Sequence, residues 1–194
     1  MGKVYIGNKQ RGFKKMFTKV CGLKTIEQID KAIEYGYDAI GVVTYCKSIR
    51  YCQTKDAIRL AKHAKGRGIK SFVVGLTYSD VEDVADAFDY TQIYEIKQVP
   101  NLVLASKEIP PSNLNYEYFV YDASIGSGVF EEFPRWIKDM AGKIIVAGGL
   151  NTENVCSVIK DIKPFGVDVS SGVEDNGVKD LRLMREFIEA VKSC

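Results

Sequence analysis

The segment GVDVSSGVE, residues 166–174, indicates the fold more clearly than any other, because it joins an apolar, strand-like run to a turn made of small residues. Its β-branched valines predict the strand, and the turn Ser170–Gly172 leaves backbone N–H groups uncovered. A helical pattern, Asp180–Val191, begins soon afterwards. A strand, a small-residue turn and the start of a helix, in that order, form a site for a phosphate dianion held by amide donors and a helix N-terminus.

A second turn of the same kind, AGGL at residues 147–150, follows the apolar run Ile144–Val146. In a (β/α)8 barrel, the loops that follow strands seven and eight commonly share one phosphate. The order of the two turns therefore predicts that Gly148 and Gly149 act together with the Ser-Ser-Gly turn.

The rest of the chain alternates short apolar runs with helical patterns, which predicts βαβ units and a parallel sheet. Its 194 residues suit one domain, and 46% of them are hydrophobic. The predicted strands are Phe17–Cys21, Ala39–Val43, Ser71–Leu76, Thr91–Ile96, Leu102–Ala105, Tyr118–Tyr121, Lys143–Ala147 and Phe165–Val169. The predicted helices are Thr25–Tyr35, Thr54–Lys65 capped by Thr54, Ser79–Phe88 capped by Ser79, one reaching Met140, Thr152–Lys160 and Asp180–Val191.

Eight such strands predict a single compact α/β fold, a (β/α)8 TIM barrel over residues 16–194, with a basic extension at residues 1–15. We expect the fourth helix to be shortened or missing, because few residues separate the fourth and fifth strands. An open doubly wound sheet is the alternative, but no G-x-G-x-x-G turn follows the first strand.

The formal net charge of +2 favours no nucleic-acid partner, and no apolar run approaches the length of a membrane span. Residues 1–15 carry five basic side chains and no acid. They could form a nucleic-acid arm, but we favour a leader or an upstream start, since Met16 directly precedes the first strand. Five cysteines without a C-x-x-C pair, and a single histidine, argue against a zinc site. We therefore expect free thiols and a cytoplasmic location.

In such barrels the reacting groups lie at the C-terminal ends of the strands. Cys21 ends the first strand, where it is either a buried thiol in the barrel lining or a thiolate base whose pKa is lowered by Lys19 or by a dipole at the phosphate site. Asp122 follows the sixth strand. It is either a helix cap or ion-pair member, or a carboxylic acid whose apolar neighbours let it donate a proton near neutral pH.

Three further positions remain. Arg50 and Gly128 each have two interpretations, and His63 has no catalytic one. Arg50, after the second strand, is either a solvated cation or a bidentate partner for a substrate carboxylate. Gly128 belongs to a Gly-Ser-Gly turn that is either a flexible loop or a lid over the substrate. His63 falls within the second helix, away from the strand ends, so we assign it no catalytic role.

Five motifs together resemble the phosphoribosylanthranilate isomerase family, in the family's order, from about residue 16 to the C-terminus. They are KVCGL (19–23), SIRY (48–51), Asp122 with the Gly-Ser-Gly turn and Phe133/Trp136, AGGLN (147–151) and GVDVSSGVE (166–174). Three segments depart from the family: QIYE (92–95) replaces the usual Gln-Leu-His-Gly, SIR (48–50) replaces Ser-Pro-Arg, and IGSG (125–128) replaces Gly-Gly-Thr-Gly.

The resemblance implies a cofactor-free and metal-free Amadori rearrangement of N-(5-phosphoribosyl)anthranilate in tryptophan biosynthesis. Asp122 would be the general acid and Cys21 the general base. The small phosphorylated substrate would be bound by Arg50, Gly128, Gly148, Gly149, Asp168, Ser170, Ser171 and Gly172. Within this group, Arg50 would contact the anthranilate carboxylate, and Asp168 would lie near the ribose hydroxyls. We expect a monomer or a homodimer.

Two alternatives remain open at this point. One is the sister Amadori isomerase of histidine synthesis, or a bifunctional enzyme, although Cys21 stands where that chemistry typically uses an aspartate. The other is a phosphosugar-binding barrel without turnover.

Overall fold

Eight parallel strands close into a barrel in the computed structural model, which describes residues 15–124, 133–140 and 144–194. Neighbours in the barrel are neighbours in the chain, and β1 pairs with both β2 and β8. The predicted TIM barrel is therefore confirmed. The strands are β1 Phe17–Cys21, β2 Ala39–Val43, β3 Lys70–Val74, β4 Tyr90–Ile93, β5 Leu102–Ser106, β6 Tyr118–Asp122, β7 Ile144–Ala147 and β8 Gly166–Val169.

Four α-helices pack outside the barrel within the described ranges: α1 Ile26–Tyr35, α2 Thr54–Arg67, α3 Val155–Ile162 and α4 Leu181–Ser193. Thr25 and Gln28 form a capping box at the start of α1, which satisfies two otherwise free N–H groups. The predicted cap of α2 is wrong. Thr54 is already helical, and Gln53 precedes it without a side-chain capping bond.

The helix predicted over Ser79–Phe88 is wrong: the segment holds two short 3₁₀ turns, Tyr78–Asp80 and Ala85–Ala87. The Asp80 carboxylate accepts the N–H groups of Leu76 and Thr77, at 3.0 and 2.8 Å. Such local side-chain bonds compete with helix formation. Thr77, and not Ser79, precedes the first turn.

The fourth helix is missing, as predicted, because no helix forms between β4 and β5, where every residue is described. The described part of the helix predicted up to Met140 is a 3₁₀ turn, Arg135–Asp139. The shortness of these connections explains how 194 residues suffice for eight strands.

The barrel is closed at its N-terminal end by stacked aromatic rings. Phe17, Tyr118 and Phe165 stack with centroid separations between 5.3 and 5.9 Å, and Tyr90 meets Tyr118 edge-on at 5.4 Å. Because this end is filled, the opposite, C-terminal end of the barrel is the one that can receive a ligand.

Cys156 and Cys194 form a disulfide with their Cα atoms 5.3 Å apart, so the prediction that all five cysteines are free thiols is wrong. Cys156 lies on α3, and Cys194 ends the chain directly after α4. The two helices pack side by side, and that packing, not a sequence spacing, brings the two residues together. Cys21, Cys46 and Cys52 are free, and the cytoplasmic location stays a prediction.

Two side-chain contacts link elements on the outside of the barrel. His63 on α2 contacts the Asp30 carboxylate of α1 at 2.8 Å, so it links two outer helices, as its position in the second helix suggests. Lys15 contacts Asp38 at 2.6 Å, whereas residues 1–14 lie outside the described residues and the extension stays a prediction. No helix in the described part of the chain is long and apolar enough to cross a membrane.

Candidate active site

One cavity of about 460 Å³ opens at the C-terminal end of the barrel. Residues at or after the ends of seven of the eight strands line it, all except β5. They include the predicted site residues Cys21, Arg50, Asp122, Gly148, Gly149, Asp168, Ser170 and Ser171. Gly128 lies outside the described residues, and Gly172 is not among the residues that line the cavity but lies against the Leu150 carbonyl.

Cys21 and Asp122, at the ends of β1 and β6, are both buried and both line this cavity. The two strands are separated by β7 and β8 on one side of the barrel and by four strands on the other. The thiol and the carboxyl thus face one enclosed space from different walls. A molecule bound between them can receive a proton from one group and lose a proton to the other.

Below the thiol, Lys19 and Asp168 form an ion pair in which Nζ lies 2.5 Å from Oδ2. The two residues are register partners on β1 and β8, and the lysine side chain is fully buried. Burial acts to lower the pKa of Lys19, but the charges of Asp168 and Cys21 outweigh it and raise that pKa, so the ammonium persists. Burial raises the pKa of Asp168, and Lys19 opposes that effect.

The prediction of a lowered thiol pKa is wrong. Burial raises the pKa of Cys21, and the opposing charge of Lys19 only partly offsets that effect. Lys19 lies beside the thiol, as the sequence predicts. Both side chains approach the same point on β2: a Cβ added to Gly41 would lie 2.8 Å from Cys21 Sγ and 3.2 Å from Lys19 Nζ. What the sequence does not reveal is the removal of the thiol from water.

Within the part of the chain that the structure describes, Asp122 accepts three hydrogen bonds. Its Oδ1 accepts the N–H and the hydroxyl of Ser124 at 3.0 and 2.9 Å, and its Oδ2 accepts the hydroxyl of Tyr94 at 2.5 Å. The apolar side chains of the same strand are therefore only part of its surroundings. This carboxyl is fixed in orientation, which a group that transfers a proton to one substrate atom requires.

Arg50 lines the cavity, but part of its guanidinium already binds Glu174. Nε lies 2.7 Å from Oε1 and one terminal nitrogen lies 2.7 Å from Oε2. Lys179 also contacts Glu174 and donates to the carbonyl oxygen of Ser170 at 2.9 Å. Burial alone would raise the pKa of Glu174, but the hydrogen bonds of Arg50 and Lys179 hold it below its usual range. The remaining guanidinium N–H groups of Arg50 are the ones left for a ligand.

The two small-residue turns meet, as their sequence order predicts. An ideal Cβ on Gly172 would lie 1.9 Å from the carbonyl oxygen of Leu150, so only glycine permits this contact. The Asn154 side chain donates to the Gly149 carbonyl at 2.9 Å, which fixes the first turn. Within the described residues, the N–H groups of Gly148 and Gly149 donate to no protein acceptor.

The helix predicted over Asp180–Val191 is present as α4, with Asp180 as its N-cap, but other elements come between it and the Ser-Ser-Gly turn. The chain enters a 3₁₀ turn, Ser171–Val173, and then a small hairpin formed by β9 (Glu174–Asp175) and β10 (Val178–Lys179) before α4 begins. Asn176 and Gly177 both have positive φ, at 49° and 78°, as a two-residue hairpin turn requires. The hairpin brings Glu174 to Arg50 and Lys179 to the carbonyl oxygen of Ser170.

Comparison with known proteins places this geometry in a family. The N-(5'-phosphoribosyl)anthranilate isomerase of Pyrococcus abyssi is 36% identical over 211 aligned positions, which cover 92% of this chain and 99% of that protein. The chain belongs to the phosphoribosylanthranilate isomerase family. The family model for N-(5'phosphoribosyl)anthranilate (PRA) isomerase matches residues 119–190.

Solved phosphoribosylanthranilate isomerase structures agree with this assignment. The enzyme from Thermotoga maritima superposes with a TM-score of 0.75 at 26% identity, covering 92% of this chain and all of that one. A phosphoribosyl anthranilate isomerase in complex with reduced 1-(o-carboxyphenylamino)-1-deoxyribulose 5-phosphate gives a TM-score of 0.70 at 26% identity, with the same coverage. The barrel and its order of strands are thus those of the isomerase family.

Sequence reasoning missed several residues of this isomerase-family site. Glu174 and Lys179 stand in or beside a quoted motif, and the Asn176-Gly177 pair was a usable hairpin signal. Gln92 is also among the missed residues, and it shares one feature with the predicted residue Asp168. Each has a buried oxygen, Gln92 Oε1 and Asp168 Oδ1, without a hydrogen-bond partner among the described residues, and both residues line the cavity. Sequence patterns give no signal for such unsatisfied oxygens, which are available to a bound hydroxyl or N–H group.

Proposed function

We propose that this chain is an active phosphoribosylanthranilate isomerase. It converts N-(5-phosphoribosyl)anthranilate into 1-(2-carboxyphenylamino)-1-deoxyribulose 5-phosphate, a step of tryptophan biosynthesis, by an Amadori rearrangement. The observation that carries the proposal is that the Cys21 thiol and the Asp122 carboxyl line one cavity together with the glycine and serine turns. A relative's complex with the reduced product supports it.

The first step opens the sugar ring. Asp122 donates its proton to the furanose ring oxygen, and the bond between that oxygen and C1′ breaks. The lone pair of the anilino nitrogen forms a C=N bond to C1′, which leaves an iminium ion and a carboxylate at Asp122. The fixed orientation of Asp122 suits it to this transfer.

The second step moves a proton away from C2′. The iminium makes this C–H acidic, so the Cys21 thiolate can accept the proton while the C–H electrons form a C1′=C2′ double bond. The electrons of the C=N bond return to nitrogen, and an enolamine results. It tautomerises to the ketone when the C2′ hydroxyl loses its proton and C1′ gains one. No electrons enter or leave the substrate, so the chain's own groups suffice.

Binding follows the distribution of charge and apolar surface in the cavity. Val43, Val74 and Leu76 form an apolar wall for the aryl ring. The loop after β2 brings Lys47 and the unoccupied N–H groups of Arg50 to the same side, where they can meet the aryl carboxylate. Glu174 already occupies part of the Arg50 guanidinium, so we expect Lys47 and Arg50 to bind the aryl carboxylate jointly.

The sugar phosphate occupies the part of the cavity formed by the loops after β7 and β8. Asp168 Oδ1 accepts a ribose hydroxyl, since Oδ2 is already bound to Lys19. The N–H groups of Gly148 and Gly149 and the turn at Ser170 and Ser171 hold the phosphate. The Ser170 hydroxyl donates to the Cys21 carbonyl at 3.1 Å, so we assign the phosphate contact of Ser170 to its backbone.

The test is turnover by the purified protein on freshly prepared substrate. Isomerisation removes the fluorescent anthranilate adduct with time, and this is the expected result. A barrel that only binds phosphosugars would shift the fluorescence at once without depleting the substrate. The substrate of the histidine-pathway isomerase serves as the specificity control, and we expect no conversion of it.

A further inference from the structure

Tyr94 contacts the proposed acid past one intervening strand, β5. It directly follows β4, and its hydroxyl donates to Asp122 Oδ2 at 2.5 Å. Its backbone is also fixed, because the N–H groups of Tyr94 and Glu95 both donate to the carbonyl of Leu76, at 3.0 and 2.9 Å. The absence of a helix after β4 leaves this residue at the cavity wall.

The two oxygens of Asp122 are held by different parts of the fold. Among the described residues, Oδ1 is bound by Ser124 alone, in the loop that follows β6, and Oδ2 by Tyr94 alone. The Ser124 contacts hold Oδ1 from the loop that follows Asp122 itself. The phenol adds a second, independent contact at Oδ2, from a residue fixed at the end of another strand.

The phenol stays a donor throughout. Burial and the neighbouring Asp122 charge raise the pKa of Tyr94 well above its ordinary value, so the hydroxyl retains its proton at any pH at which the enzyme works. A donor of this kind binds a carboxylate more strongly than a neutral carboxylic acid. Its interaction therefore grows as Asp122 loses its proton.

We propose that Tyr94 is a positioning residue for Asp122: its phenol aims Oδ2 at the substrate ring oxygen and stabilises the carboxylate that remains after proton transfer. The proposal rests on the proposed function, because the proton transfer is part of it. Tyr94 acts through Asp122, and its own proton is not transferred. The effect therefore belongs to the chemical step and not to substrate binding.

The experiment compares Tyr94→Phe with Tyr90→Phe. Tyr90 lies on the same strand at the opposite end of the barrel, where its hydroxyl accepts a hydrogen bond from Lys70 at 3.0 Å, so its removal is a matched control. We expect Tyr94→Phe to lower kcat by about 10- to 100-fold, the usual value of one charge-assisted hydrogen bond. KM and the affinity for the reduced product analogue stay unchanged, and Tyr90→Phe keeps full activity.

A double-mutant cycle separates this role from a direct substrate contact. In the Asp122→Asn background, adding Tyr94→Phe should cost little further activity, because the acid that Tyr94 serves is already gone. Losses that multiply, a raised KM in Tyr94→Phe, or an unchanged kcat would each overturn the proposal.

A readout independent of activity distinguishes this proposal from the proposed function. The carboxyl carbon of Asp122, followed by ¹³C NMR in the unliganded protein, should shift in Tyr94→Phe and not in Tyr90→Phe. An unshifted signal would overturn the contact. If Tyr94→Phe shifts the signal but the wild-type protein does not turn over the substrate, the proposed function is wrong, and with it the role of Tyr94 in proton transfer.

Discussion

The guanidinium of Arg50 and the carboxylate of Glu174 meet fork to fork, with two N–O distances of 2.7 Å, although 124 residues separate them in the chain. Lys179 contacts the same carboxylate, and little of any of the three side chains is exposed. The loop after β2 is thus joined to the hairpin after β8. This joint holds the cationic side of the cavity next to the phosphate cradle.

Removing the carboxylate charge should loosen that joint. Glu174→Gln leaves Arg50 and Lys179 without their counter-charge, so we expect the free energy of unfolding to fall by about 3 kcal/mol. KM should rise while kcat changes less, because the Arg50 guanidinium is no longer held in one orientation for the substrate carboxylate. Denaturant titration and steady-state kinetics measure both effects. Glu186→Gln, which breaks the more exposed pair with Arg182, is the matched control and should change little; equal losses in both variants would contradict the account.

Gly41→Ala should impair the base without removing it. The new methyl group would lie 2.8 Å from Cys21 Sγ and 3.2 Å from Lys19 Nζ, so both groups must move. A displacement of this size can cost about 10- to 100-fold in kcat. Gly66→Ala on α2, where no atom lies within 4 Å of the new methyl, should keep full activity. A fully active Gly41→Ala protein would show that the thiol position is not critical.

The pH dependence should reveal the buried thiol. The reactive form of Cys21 is the thiolate, and burial raises the pKa of Cys21 above the ordinary cysteine value of 9.0. At any pH below this raised value, a smaller fraction of the protein carries the thiolate than for an ordinary cysteine, so the thiolate fraction should still increase as the pH approaches 9.0. Thiolate ultraviolet absorbance, taken as the difference from Cys21→Ala, should follow the same curve. A thiolate already complete at neutral pH would contradict the assignment.

The Cys156–Cys194 disulfide should stabilise the fold without affecting catalysis. It closes a loop of 38 residues, for which the chain-entropy relation gives about 4 kcal/mol. Replacement of both cysteines by serine should lower the unfolding midpoint by the corresponding amount and leave kcat unchanged, since the bond joins two outer helices. Dithiothreitol should reproduce the loss in the wild-type protein. Identical midpoints with and without the bond would contradict this expectation.

Much of the barrel could be predicted because its strands are buried on both faces. Phe17–Cys21 and Ala39–Val43 have the predicted bounds, since continuous apolar runs leave few alternatives. The helix predicted over Ser79–Phe88 fails because Asp80 folds back on its own backbone. A helical pattern records apolar spacing and does not include such a competing bond.

The positions of the main site residues could be predicted from the sequence, but their surroundings could not. The strand-end rule places Cys21 and Asp122 at the mouth of the barrel, where the structure has them. The raised pKa of Cys21 depends on how deeply the thiol is buried, and the Tyr94 contact depends on side chains from the ends of two different strands, β4 and β6. Neither follows from neighbours in the chain, and the same holds for the pairing of Cys156 with Cys194.

The central claim is that a thiol and a carboxyl act on one substrate from different walls of a shared cavity. The most direct test is kcat for Cys21→Ala and for Asp122→Asn, measured beside the affinity of each variant for the reduced product analogue. We predict that each substitution lowers kcat by about 10²- to 10⁴-fold while the affinity stays near that of the wild-type protein. A near-wild-type kcat in either variant would contradict the account.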